Sequence, residues 1–296
     1  MTRVRSTENT IRDSSRSGRR TGVSILAVLT LAGCSGTFEA RPPQTPASFT
    51  SPSGSDLVFA PPSPDTIPGD QRGEQIRLGY RVVVKTQEYA KAYVGNALNC
   101  TNCHLDAGLN PNAASFVGLA VVYPEYRARS GRVVTLAERI NECFERSLNG
   151  KALPAESSRL QAVVAYIEWL SQGVPRGATI PWRGVPRLAV GRTADRERGR
   201  QVFAARCALC HGSDGQGTML APPLWGPRSY NIGAGMARVG VAAGFIKANM
   251  PRGWGWSLSD EEAYDVAAFI NSQPRPDMPG KERDWPKGGK PEDAPY

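Results

Sequence analysis

The sequence predicts an all-α fold made of two tandem copies of one helical unit, and three observations carry that expectation. The pentapeptide Cys100-Thr101-Asn102-Cys103-His104 returns as Cys207-Ala208-Leu209-Cys210-His211. The interval from His104 to Cys143 is 39 residues, the same as from His211 to Met250. Each half then closes on a similar apolar helix, Val163-Val164-Ala165-Tyr166-Ile167 and Val266-Ala267-Ala268-Phe269-Ile270. Duplication of a whole unit explains all three better than one mixed domain does.

The elements follow in order. Residues 1–20 carry six arginines against Glu8 and Asp13, and Val23 to Ala32 is an apolar run of ten. A basic start, a short apolar stretch and a small-residue end describe a secretory signal over 1–33, and ten residues are too few to span a bilayer. Leu31-Ala32-Gly33-Cys34 resembles the bacterial lipobox, in which the cysteine is lipidated and becomes the new N-terminus. That implies export and a lipid anchor on the periplasmic side of a bacterial membrane. A plain signal peptide cut a little later is the alternative, with Cys34 left as an odd thiol. Removing 1–33 leaves 30 basic against 25 acidic residues, so the net charge drops from +9 to +5. No polybasic run survives, and nucleic-acid binding has no support.

Residues 34–75 contain eight prolines and many serines without apolar periodicity. The stretch reads as a tether with a coil reach of about 35–40 Å. A first domain is expected over 76–175, a Pro/Gly-rich linker over 176–192, a second domain over 193–275 and an irregular tail over 276–296. Leu160, Val163, Val164, Ile167 and Leu170 keep a 3.6-residue period that Gly173 stops. Thr135 with Glu138, and Ser259 with Glu262, form capping boxes that open the helix bearing Cys143 and the final helix. No stretch alternates strongly enough to predict a sheet.

Chemistry concentrates in the cysteines. Only two histidines are present, His104 and His211, and each directly follows a cysteine pair. A Ser-His-Asp hydrolase or a multi-histidine metal site would need one to spare. C-x-x-C-H is the attachment sequence of c-type haem: the thiols form thioethers and the histidine binds iron. The pairs lie more than 100 residues apart, which disfavours a shared zinc site. A thioredoxin-like pair lacks its βαβ setting, and a C-x-x-C disulfide rarely carries a following histidine. The expected cofactors are therefore two covalent haem c groups, on Cys100, Cys103 and His104 and on Cys207, Cys210 and His211. The two units are then cytochrome c-like domains.

The second axial ligands differ between the halves. In the second half Met250 precedes Pro251 after a helix, where a thioether can reach the distal face of the iron. Met219 and Met236 are expected to be core residues, and Lys247 is a nitrogen donor nearby. Trp254 and Trp256 are expected against a haem edge or in the core. The first half offers no methionine, but Cys143 sits at the equivalent interval. A buried structural thiol is the plain alternative. Arg139, Cys143 and Ser147 nevertheless share one helical face at i, i+4 and i+8, and a neighbouring arginine favours thiolate.

These residues resemble the dihaem thiosulfate dehydrogenases over most of 85–275. The likeness is most specific in Tyr123-Pro124-Glu125-Tyr126-Arg127-Ala128-Arg129 and in Arg139 to Gly150. The resemblance implies that Cys143 is the distal ligand of the active-site haem, with Arg129, Arg139 and Ser147 lining the substrate pocket. It implies oxidative coupling of two thiosulfates to tetrathionate, possible in reverse. The electrons would leave through the His211/Met250 haem to a small cytochrome c or a membrane component. Some relatives carry an exchangeable lysine beside the distal methionine, and Asn249 stands there instead. The other readings are a non-catalytic, membrane-tethered dihaem electron carrier and another sulfur-oxidising, Cys-ligated cytochrome.

Overall fold

The computed structural model describes residues 57–296. The signal segment 1–33, Cys34 and the tether up to residue 56 lie outside the described residues. No helix among the described residues is long and apolar enough to cross a membrane.

The helices are α1 (Gln71–Val84), α2 (Thr86–Tyr89), α3 (Leu136–Arg146), α4 (Ser158–Trp169), α5 (Arg196–Arg206), α6 (Ala208–His211), α7 (Val239–Asn249) and α8 (Asp260–Asn271). Both expected capping boxes are formed, Thr135 with Glu138 before α3 and Ser259 with Glu262 before α8. The duplication is visible in the packing. Where α1 crosses α4, a Cβ on Gly79 would meet the Ala162 carbonyl oxygen at 2.0 Å. Where α5 crosses α8, a Cβ on Gly199 would meet the Asp265 carbonyl oxygen at 2.1 Å. Only glycine lets the two backbones approach so closely, so the same crossing is built twice.

One small sheet departs from a purely helical fold. Strands β1 (Glu125–Arg127) and β2 (Arg132–Val134) pair antiparallel, with Tyr126 opposite Val133. At three residues each, they are too short for alternation to show in the sequence.

The boundaries also differ from the sequence reading. Helix α1 begins at Gln71, within the stretch read as tether, because the Asp70 side chain caps it by accepting from Gly73 N at 3.0 Å. Leu57 and Phe59 pack with Val117, Ile180 and Trp182, and the Phe59 and Trp182 rings meet edge to face at 5.2 Å. Isolated apolar residues among prolines can thus bury themselves without any periodicity. The 176–192 segment is anchored as well, through Trp182 Nε1, which donates to the Val117 carbonyl at 2.8 Å.

The two halves share a core. Tyr230, Ala234 and Ala237 from the second half pack into the cluster that contains Phe144, Leu160 and Ile167 of the first. The 276–296 tail is irregular in conformation yet buries Met278 and Trp285.

Candidate functional site

Each pentapeptide folds so that its histidine is oriented by one carbonyl. His104 Nδ1 lies 2.7 Å from the Ala114 carbonyl oxygen, and His211 Nδ1 lies 2.8 Å from that of Pro222. A carbonyl only accepts, so Nδ1 carries the proton in both rings and Nε2 keeps a lone pair for a metal. Burial lowers the pKa of His104 to about 4, which keeps the ring neutral. Phe116 packs on the His104 ring with centroids 4.4 Å apart.

His104 faces a cavity of about 240 Å³ lined by Cys100, Cys103, Cys143, Arg139 and Ser147. Helix α3 delivers Arg139 and Cys143, and its C-cap delivers Ser147, because the buried side of the helix, Leu136, Ile140 and Phe144, sets its rotation. Arg139 Nη1 lies 3.1 Å from Cys143 Sγ. The Cys143 sulfur, more than any other neighbour, pushes Arg139 further toward its charged form, against the effect of burial. Burial pushes the Cys100 thiol up to about 11 and that of Cys103 to about 12.

These residues fit covalent haem in chemistry and arrangement. Two thiols and a neutral, oriented imidazole open on one largely apolar cavity, with a third sulfur on its wall.

Two further arginines line the same cavity, Arg127 on β1 and Arg183 on the segment between the domains. Both engage Glu125, Arg127 at 3.0 Å. Burial opposes the charge of Glu125, but Arg183 and Arg127 hold its carboxyl below the usual range. Glu142 stands 3.5 Å from Arg139. Three guanidinium groups thus meet two carboxylates, leaving a surplus of positive charge beside Cys143.

Arg129 is placed differently. It does not line this cavity but an adjoining groove, which shares Arg127 with it. Its Nη1 donates to the Gly233 carbonyl at 2.5 Å, its guanidinium lies 4.8 Å from the Trp285 ring centroid, and Asp284 is 3.7 Å away.

In the second half, Cys207, Leu224 and Met250 pack against one apolar cluster. Met250 closes α7. Asn249 beside it donates to the Asn112 carbonyl of the first half at 3.0 Å. Lys247 is occupied, with Nζ 2.7 Å from the Leu258 carbonyl and 2.9 Å from Asp260. Met236 is partly buried, consistent with a core role. Met219 is not a core residue: it is 104% exposed, held out by a turn. Trp254 and Trp256 are also exposed.

Comparison with known proteins decides the family. The description "SoxA/TsdA, cytochrome c domain" matches residues 86–176, and "Cytochrome C oxidase, cbb3-type, subunit III" matches residues 194–270. The thiosulfate dehydrogenase of Allochromatium vinosum is 48% identical over 230 residues, covering 74% of this chain and 85% of that protein. The chain belongs to the thiosulfate dehydrogenase family. The thiosulfate dehydrogenase of Stutzerimonas stutzeri is 44% identical, covering 76% of this chain and 75% of that protein. Among solved structures, the thiosulfate dehydrogenase TsdBA from Marichromatium purpuratum, as isolated, superposes with a TM-score of 0.71 at 43% identity. That match covers 75% of this chain and half of the longer solved chain. Two cytochrome c domains in tandem, the type that binds haem c, make up the fold.

Within this family framework, sequence reasoning did not identify Arg183, Asp284 or Trp285. Arg183 sits in a segment read as linker and the other two in a segment read as irregular tail. Nothing in their local sequence marks them, because their contacts come from far along the chain.

Proposed function

We propose that the chain is a thiosulfate dehydrogenase that couples two thiosulfates to tetrathionate in its first domain and passes the electrons out through its second. The observation that carries this reading is the 3.1 Å contact between Arg139 and Cys143 on the wall of the cavity that His104 faces. Two haem c groups would be held covalently, one through Cys100 and Cys103 and one through Cys207 and Cys210. When bound, haem c supplies one-electron acceptors for the reaction. His104 and Cys143 would hold the iron of the first haem, and His211 and Met250 that of the second.

The chain's own residues provide charge and orientation. Thiosulfate is a dianion, and bringing two together costs repulsion. Fixed guanidinium groups offset that repulsion and bind sulfonate oxygens through paired hydrogen bonds. Arg139 and Arg127 stand where a sulfonate could meet them, and Arg129 flanks the adjoining groove. Ser147 offers a hydroxyl one turn beyond Cys143 on the same cavity wall. The Arg139 guanidinium stands 3.1 Å from the Cys143 sulfur, so positive charge is fixed beside it. Export and lipidation at Cys34 place this chemistry on the periplasmic side of a membrane, with a redox protein as electron acceptor.

The test uses the haem-loaded protein with thiosulfate and ferricyanide, following tetrathionate. Turnover is expected in the wild type and its loss in Cys143→Ala, with both haems retained. No tetrathionate from the wild type, or normal activity in Cys143→Ala, overturns the reading.

A further inference from the structure

Leu209, Met219 and Leu220 are 87%, 104% and 75% exposed, although the chain has ample core to receive apolar side chains. Their exposure is built into the fold. Thr218 Oγ1 donates to the Cys210 carbonyl at 2.5 Å and accepts from Leu220 N at 3.0 Å. Gly217 N donates to the His211 carbonyl at 2.8 Å, and Thr218 N to that of Ala221 at 2.9 Å. The turn bearing Met219 and Leu220 is thereby fastened to α6, whose own Leu209 directly precedes Cys210. Leaving a large apolar side chain in water forgoes the stabilisation that burial would bring. A turn needed only for chain reversal would be served by polar residues.

We propose that Leu209, Met219 and Leu220 form the docking surface for the one-electron redox protein that removes electrons from the second domain, and that recognition is by apolar contact. The inference rests on the reading above, in which electrons leave through that domain. Each tetrathionate formed releases two electrons, so two encounters follow, each reducing one acceptor molecule by one electron. Leu209 directly precedes Cys210, and Thr218 beside Met219 bonds to the Cys210 carbonyl, so the patch adjoins a cysteine through which the second haem would be attached. Its size also fits. Three side chains cannot supply the roughly 800 Å² per partner of a stable interface, whereas transient redox encounters bury less than about 1,200 Å² in total. A small apolar patch therefore suits a partner that must leave after each electron, and not a permanent second copy.

The test compares the wild type with the double variant Met219→Lys/Leu220→Lys, both haem-loaded. Thiosulfate oxidation is measured with ferricyanide and with an oxidised soluble monohaem cytochrome c as acceptors. The KM for cytochrome c should rise at least about tenfold in the variant, the loss of one small hot spot. The KM for thiosulfate and the ferricyanide rate should not change. In the wild type, the KM for cytochrome c should vary little with salt, since apolar contact is not screened. An unchanged KM for cytochrome c overturns the docking surface. So does loss of wild-type binding to phosphatidylglycerol vesicles, or of a wild-type dimer, in a variant whose cytochrome KM is normal. Absence of thiosulfate-dependent ferricyanide reduction in the wild type instead overturns the enzymatic reading itself.

Discussion

Asp284 accepts from both terminal nitrogens of Arg146, each at 2.8 Å, and so fastens the C-terminal segment to the last turn of α3. Arg146 lies three residues beyond Cys143 on the same helix. Asp284 also stands 3.7 Å from Arg129, and the Tyr296 hydroxyl bonds to it. One nearly buried carboxylate, 6% exposed, therefore balances two arginines beside the site. Trp285 adds a second hold on Arg129, since its N–H donates to the Arg129 carbonyl at 2.7 Å. Asp284→Asn leaves a buried cation short of its partner, at a cost of about 3 kcal/mol. At about 2–4 °C per kcal/mol, the melting temperature should fall by roughly 6–12 °C. Thermal unfolding of the haem-loaded protein checks this, and an unchanged melting temperature refutes the role of the ion pair.

The anion-binding role proposed for Arg139 predicts an ordered pair of variants. Arg139→Gln removes the charge and the fork, and kcat/KM for thiosulfate should fall about 10²–10³-fold. Arg139→Lys keeps the charge but loses the paired hydrogen bonds, so its activity should lie between the wild type and Arg139→Gln. Equal activity of the two variants in steady-state assays would show that charge is not what Arg139 contributes.

The methionines separate what the sequence could specify from what it could not. Met250 is picked out by its interval from His211 and by the helix before it, and the structure sets it against the same cluster as Cys207. Met219 has no such constraint. A side chain in a loop is positioned by hydrogen bonds such as that of Thr218 to Cys210, which leave no periodic trace. The capping boxes and the α3 face were readable because they are local patterns. Arg183 and Asp284 were not, because each acts on residues far away in the chain. Redox titration tests the distinction. Met250→Ala should lower the potential of the second haem, since thioether ligation raises it, and Met219→Ala should leave it unchanged. A fall in Met219→Ala, or none in Met250→Ala, would reverse the assignment.

Asp265 gives the second domain one source of pH-dependent stability. Its carboxylate is fully buried on α8, accepts from Asp195 N at 2.8 Å and pairs with Arg192 at 2.7 Å. Burial opposes its charge, but the Arg192 hydrogen bond and the Asp195 amide together hold its pKa below the ordinary value. The unfolded chain therefore binds the proton first as pH falls. The stabilisation is complete above the ordinary aspartate value of about 3.9 and is lost as pH drops through the lower, folded value. Asp265→Asn removes the charge at every pH and should lower the melting temperature at neutral pH, since the charge-assisted bonds to Arg192 and the Asp195 amide are weakened. The gap in melting temperature between wild type and variant should be widest near pH 7 and shrink below about pH 4, where the wild type gives up its own contribution. A gap that is constant from pH 7 to pH 3 would show that the carboxylate is held by packing and not by its charge.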